Sequence, residues 1–142
     1  MTVEQISVFV ENRSGQLGDV TRVLEGAGIS IRALSLADTA DFGVLRLMAD
    51  DTARAREELQ KAGFTVGSTP VVAVEVPDAP GGLARVLDVL SQSGINVEYL
   101  YAYTQRDSAK ATLIFRFDRM GEAEDVLREQ GVTLLGPEEI SG

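Results

Sequence analysis

The chain contains no cysteine and no histidine. That removes thiolate nucleophiles, imidazole bases, disulfides and the usual ligands of zinc or copper at one stroke. Carboxylates could still hold magnesium or calcium. However, no Asp-x-Asp-x-Asp-Gly loop occurs, and no phosphate-cradling Gly-x-x-x-x-Gly-Lys, so neither a metal nor a cofactor is expected. Basic charge is scarce, with 13 Lys plus Arg against 22 Asp plus Glu and a formal net charge of −9. Such a balance repels the phosphate backbone that a nucleic-acid binder must neutralise. There is no long apolar run, and Met1 opens no basic, apolar leader. No membrane association is therefore expected, and the cytoplasm is the expected compartment. Acidic residues such as Asp50, Asp51, Glu57, Glu58, Glu122, Glu124 and Asp125 read as solvated faces of helices.

What is present in quantity is apolar: 44% of 142 residues, enough to give each half of the chain a core. The halves repeat one another. Ile6, Val8, Val10, Gly15, Leu17, Val20, Leu24, Gly28 and Ile29 recur 66 residues later as Val72, Val74, Val76, Gly81, Leu83, Val86, Leu90, Gly94 and Ile95. After a small insertion the spacing becomes 68, pairing Leu45 with Leu113, Leu59 with Leu127 and Gly63 with Gly131. This predicts a tandem duplication, residues 1–68 and 69–142.

Each copy reads as strand, helix, strand, strand, helix, strand. Ile6, Val8 and Val10 alternate with polar neighbours, as Val72, Val74 and Val76 do, which is the pattern of a strand with one buried face. Helical spacing follows in Leu17, Val20, Leu24 and in Leu83, Val86, Leu90, stopping at Gly28 and Gly94. Pro80 stands where a first helical residue is expected. Hairpins follow, with turns at 37–41 and 104–108, then a second helix closed by Gly63 or Gly131. Last strands are expected at 64–67 and 132–135, and a short linker at 68–70. The fold class is α+β: two ferredoxin-like βαββαβ repeats, each an antiparallel sheet with both helices on one face.

The most distinctive stretches lie between the first strand and first helix of each copy, Asn12-Arg13-Ser14-Gly15-Gln16-Leu17 and Asp78-Ala79-Pro80-Gly81-Gly82-Leu83. Each puts an Asx residue three before a glycine at a helix N-terminus. There, unpaired amides and the positive end of the helix dipole suit a carboxylate, and the Asx side chain suits an ammonium. A turn capped by Asn12 or Asp78 would look the same.

These loops, with Gly28-Ile29-Ser30-Ile31 and Gly94-Ile95-Asn96-Val97, resemble the ACT domain family, whose repeats carry an Asx-x-Pro-Gly-x-Leu loop and a Gly-Ile-Asn-like turn. The resemblance spans nearly the whole chain as tandem ACT domains, with Ser14 standing where proline is usual. It implies a non-catalytic regulatory protein that binds a small-molecule amino acid at interfaces between domains and modulates a metabolic enzyme partner in trans. By the same resemblance the contacts would come from Asn12, Gly15, Gln16 and Leu17, from Asp78, Gly81, Gly82 and Leu83, and from Ile29, Ser30, Ile95 and Asn96 of a neighbouring domain. A homodimer is expected, because the sheet face opposite the helices is apolar enough to need cover. The alternative is a structural or adaptor protein that binds a partner protein and takes no small ligand. Tyr99, Tyr101 and Tyr103 alternate along one strand and share a face if no bulge intervenes. They suit a ligand wall or ordinary packing alike. The shift in apolar pattern from Ile29 and Ile31 to Leu34 and Leu36 predicts a bulge in the first copy.

Overall fold

The repeated sequence pattern becomes a repeated structure. A computed structural model describes residues 2–11, 13–38, 41–104 and 108–141. In chain order the elements are β1 (Val3–Glu11), α1 (Gln16–Gly26), β2 (Ile31–Asp38), β3 (Phe42–Ala49), α2 (Thr52–Lys61) and β4 (Thr65–Pro77). They continue with α3 (Gly82–Gln92), β5 (Val97–Thr104), β6 (Lys110–Phe117), α4 (Met120–Glu129), β7 (Thr133–Leu135) and α5 (Pro137–Ser141). Two compact units result: Glu4–Thr69 with Ile140–Gly142, and Pro70–Glu139 with Met1–Val3.

In the first unit the strand order is β2-β3-β1-β4, with β1 and β2 both antiparallel to β3. The second unit repeats this order as β5-β6-β4-β7, all antiparallel. These are the ferredoxin-like βαββαβ repeats that the periodicity predicts.

Alternation decides which side chains face the helices. The sequence predicts that only this face is buried, yet Gln5 and Ser7 of β1 and Val71 and Ala73 of β4, on the opposite face, are buried too. Ile6, Val8 and Val10 of β1 pack with Val20 and Leu24 of α1 and Ala55 and Leu59 of α2. Val72, Val74 and Val76 meet Val86, Leu90, Ala123 and Leu127 in the second unit. Each such Val, Leu or Ile side chain contributes about 1.5–3 kcal/mol by leaving water. The second core adds a stacked pair, Phe115 and Phe117, with ring centroids 5.0 Å apart.

Bulges interrupt the second strand of both copies at equivalent places, between Ile31 and Ala33 and between Val97 and Tyr99. The first was expected. The second leaves Tyr99, Tyr101 and Tyr103 on one face, with Leu100 turned to the core.

Several boundaries differ from the sequence reading. No linker loop occurs at 68–70, because β4 runs unbroken from Thr65 to Pro77. Proline's fixed φ suits extended backbone, and the Pro70 carbonyl accepts from Arg116 Nη1 at 2.9 Å. Pro80 is not the first helical residue; α3 begins at Gly82 with Gly81 as its N-cap. The last strand of the second copy starts one residue late, since the Val132 amide is held by the Leu127 carbonyl at 2.9 Å in closing α4. Helix α5 was not foreseen. Of the two hairpin turns, residues 39–40 and 105–107 lie outside the described residues. Among the described residues no helix is long and apolar enough to cross a membrane.

Candidate ligand-binding site

The chain turns from the end of β1 into α1, and from the end of β4 into α3. Gly15 and Gly81 make the turn possible: both have φ 91°, in the left-handed region, and both are N-caps. A Cβ at such a φ costs about 1–2 kcal/mol. The Gly15 carbonyl accepts from the Asp19 amide and the Gly81 carbonyl from the Arg85 amide, each at 3.0 Å. Behind them the turn closes when the Gln16 amide donates to Arg13 O (3.5 Å) and the Gly82 amide to Ala79 O (3.1 Å). The next two amides of each helix, Leu17 and Gly18, Leu83 and Ala84, have no acceptor among the described residues. Leu17 and Leu83 are themselves exposed. Asn12 lies outside the described residues. Asp78 is exposed, its amide donates to Ala109 O at 2.8 Å, and its carboxylate has no partner among the described residues.

A cleft opens beside the Gly81 loop, where β7 has only three residues, and another beside the start of α1. In the second unit it holds about 420 Å³ between Glu75–Pro77, Pro80–Gly82, Arg85, Val86, Lys110 and the turn Gly131–Thr133. Its charges are partnered at the rim: Lys110 Nζ lies 3.0 Å from Glu75 Oε1, and Arg85 Nη2 donates to Gln130 O at 3.2 Å. The first unit has an equivalent cleft of about 670 Å³, lined by Phe9, Glu11, Gln16, Asp19, Arg22, Val23, Phe42 and Ala62–Thr65. The frame is shared but the lining is not. Phe9, Phe42 and Phe64 stand where the second unit has Glu75, Lys110 and Val132. Aromatic walls suit apolar groups, and the ionic rim suits polar ones.

Gln16 and Gly82 occupy the same place in their repeats. The Gln16 side chain folds back so that Oε1 accepts from the Glu11 amide at 3.3 Å. At Gly82 a Cβ would stand 2.4 Å from the Pro77 carbonyl oxygen, so the helix start and the strand end are in direct backbone contact there.

Ile29, Ser30, Ile95 and Asn96 are not brought to these loops within their own unit. They follow the C-termini of α1 and α3, each of 11 residues, which puts about 16 Å of helix between the two groups. Ile29 and Ile95 are buried in the cores. Ser30 and Asn96 are tied by a reciprocal brace. The Ser30 amide donates to Asp50 Oδ1 (3.0 Å) and the Asp50 amide to Ser30 O (3.1 Å). Asn96 and Asp118 repeat this at 3.0 and 3.2 Å. Asp50 is thus no mere solvated residue. Neither is Asp51, which caps α2 by accepting from the Arg54 amide at 3.1 Å, nor Glu124, which is 9% exposed and 3.4 Å from Arg128. Asp50→Ala and Asp118→Ala are each expected to cost about 1 kcal/mol. Asp78→Ala, whose carboxylate has no partner among the described residues, should stay within about 0.5 kcal/mol. Urea denaturation of the three variants measures the difference.

The residues that sequence reasoning missed are those of the cleft walls: Phe9, Phe42, Phe64, Glu75, Arg85 and Lys110. A signal was available in the repeat itself, since aligned positions that exchange phenylalanine for a charge cannot both belong to the core.

A family model for the ACT domain pair matches residues 1–141. The chain belongs to the ACT family, as a domain pair. This ACT pair is similar to a crystal structure of a protein from Bacteroides thetaiotaomicron, at 38% sequence identity and a TM-score of 0.93, covering 99% of this chain and 96% of that one. It shares its fold with the ligand-free regulatory subunit of aspartate kinase from Thermus thermophilus, at 18% identity, a TM-score of 0.68 and 90% coverage of each chain. The regulatory subunit of aspartate kinase from Thermus flavus gives 20%, 0.62 and 88% of each. None of the curated proteins compared with the ACT pair matches it. Among the described residues of this pair, no group of three or more Asp or Glu side chains could hold a metal ion.

Proposed function

We propose that this ACT pair is a non-catalytic regulatory protein that binds a free amino acid at its ACT domain interfaces and modulates a metabolic enzyme in trans. The observation that carries this reading is the duplicated loop: a left-handed glycine, Gly15 or Gly81, at the start of a helix with two amides that have no acceptor among the described residues. Amides so placed suit an α-carboxylate. The carboxylate of Asp78, in one of the loops and without a partner among the described residues, suits the α-ammonium. Asn12 is assigned the corresponding role in the other loop. Binding at such a site shifts a population of packing states by its differential affinity, and so can bias a partner enzyme.

Calorimetric titration with the twenty amino acids tests the reading. At least one is expected to bind, and Asp78→Ala is expected to weaken it about tenfold, the loss of one charge-assisted hydrogen bond. Unchanged affinity in both Asp78→Ala and Asn12→Ala removes the assigned contacts.

The adaptor reading is favoured by one observation, the exposed Phe9, Leu34, Leu36 and Phe42 of the first unit. A ligand present at 100 times its dissociation constant stabilises the native state by about 2.7 kcal/mol. A melting temperature unmoved by any amino acid at saturating concentration therefore supports the adaptor.

A further inference from the structure

Three of the chain's five phenylalanines line the cleft of the first unit. The other two, Phe115 and Phe117, form the stacked pair in the second core. Phe9 and Glu11 share a face of β1, and Phe42 pairs with Glu11 from β3, so it stands on that same face. Phe64 follows α2 in the turn into β4, and Asp19, Arg22 and Val23 lie on one face of α1. Phe9 is 48% exposed and Phe42 56%. The same frame folds with Glu75, Lys110 and Val132 in place of the three rings, so the fold does not require them. Large apolar side chains gathered in a concavity, and not scattered singly, mark a binding surface. At about 670 Å³ the cleft falls in the roughly 300–1,000 Å³ range of small-molecule sites. Its rim carries both signs of charge. The Arg22 guanidinium lies over Gly18, where an added Cβ would stand 3.1 Å from Nη1, and Nη2 donates to Asp19 Oδ1. Arg22 Nη1 and Nε have no acceptor among the described residues. Glu11 Oε2 accepts from Arg13 Nε at 2.7 Å, and Oε1 has no donor among the described residues.

We propose that this cleft is a binding site for an aromatic amino acid, complete within one unit. The ring lies among Phe9, Phe42 and Phe64, the carboxylate meets Arg22, and the ammonium meets Glu11 and Asp19. Every lining residue belongs to Glu4–Thr69. The site therefore needs no second domain and is independent of the amino acid assigned to the loops. Offset and edge-to-face contacts give an aromatic side chain more than an aliphatic one of equal area. Both ion pairs at the rim are neutral in themselves and have donors and acceptors to spare, which matches a zwitterion. A ligand with a carboxylate alone would meet Glu11 and Asp19 in a chain of net charge −9, and one with an ammonium alone would meet Arg22. The cleft of the second unit has the bridge of Glu75 and Lys110 where the first has two rings, and takes no aromatic group.

The chain has no tryptophan, so the fluorescence of added tryptophan reports on the ligand alone. Its emission is expected to shift to the blue as the indole leaves water, and phenylalanine or tyrosine should reverse the shift where glutamate does not. Phe9→Glu combined with Phe42→Lys should raise the dissociation constant by about tenfold or more, through the loss of two ring contacts. That double variant should keep the wild-type melting temperature, because both positions are about half exposed and the second repeat holds the same two residues as an ion pair at 3.0 Å. Arg22→Met should weaken tryptophan and indolepropionate, which lacks the ammonium, and leave tryptamine, which lacks the carboxylate, unchanged. An unshifted spectrum at millimolar tryptophan overturns the proposal, as does tighter binding of tryptamine or indolepropionate than of tryptophan. Tryptophan that binds the double variant normally but Asp78→Ala poorly belongs to the loops, so this site falls and the ligand reading stands. The reverse pattern upholds this site and counts against the loops as the place where tryptophan binds.

Discussion

Phe115→Ala is expected to destabilise the second unit by about 3–5 kcal/mol and to leave the first unit nearly untouched. The Phe115 ring is fully buried, lies 5.0 Å from the Phe117 ring, and sits on the central strand β6 opposite Val72 of β4 and Leu100 of β5. Truncation removes the transfer free energy of the ring, leaves a cavity and ends an aromatic contact worth about 0.5–1.5 kcal/mol. The total is a large fraction of the 5–15 kcal/mol that stabilises a typical domain. The chain itself supplies the readout. It has no tryptophan and three tyrosines, Tyr99, Tyr101 and Tyr103, all on β5 of the second unit. Tyrosine fluorescence therefore follows one repeat while circular dichroism follows both. In urea, the tyrosine transition of Phe115→Ala should move to lower denaturant and separate from a later dichroism phase. Leu47→Ala, at the equivalent place in the first unit, should leave the tyrosine transition where it was and cost about 2–5 kcal/mol in the other phase. If each variant moves both probes together, the units do not unfold independently and the two cores act as one.

That experiment relies on the repeats being separate cores, and this much could be read from sequence because its signals are local. Alternating Ile6, Val8 and Val10 can bury only one strand face, and glycine after Ala27 or Ser93 is chemistry that stops a helix whatever lies elsewhere. The bulge in the first copy was legible for the same reason, as a break in phase between Ile31 and Leu34. What depends on distant partners was not legible. Thr65 to Pro77 contains a glycine and a proline near its middle, which suggested a linker, yet Pro70 offers its carbonyl to Arg116, 46 residues away. Asp50 and Asp118 stood at matching places in the repeat, but only the folded chain shows each carboxylate meeting an amide about 20 residues earlier. Within the candidate site, the loop glycines were found from their spacing. The cleft walls were not, because Phe42 and Lys110 come from the hairpins and reach the loops only through the register of the sheet.

Gly82→Ala sets two effects against each other, and their magnitudes decide the sign. Gly82 is the first residue of α3 and does not require a left-handed φ. Helix propensity alone therefore favours alanine, by about 1 kcal/mol at a helix interior and less at its first residue. The added Cβ, however, would stand 2.4 Å from the Pro77 carbonyl oxygen, a backbone atom that cannot swing aside as a side chain can. Relief requires the start of α3 to move off the end of β4, and overpacking of this kind costs about 1–3 kcal/mol. The clash should win, giving a net loss of about 1–2 kcal/mol, read as an earlier tyrosine transition in urea. The first repeat shows what the relaxed alternative looks like. With Gln16 in the same place, its turn closes at 3.5 Å to Arg13 O, where the Gly82 turn closes at 3.1 Å to Ala79 O. A looser turn also aims the amides of Leu83 and Ala84 differently, so the same substitution should weaken any anion held there, by more than its effect on stability accounts for. An alanine variant as stable as the parent would mean that the contact between Gly82 and Pro77 yields freely. The tightness of the second loop would then have no part in positioning those amides.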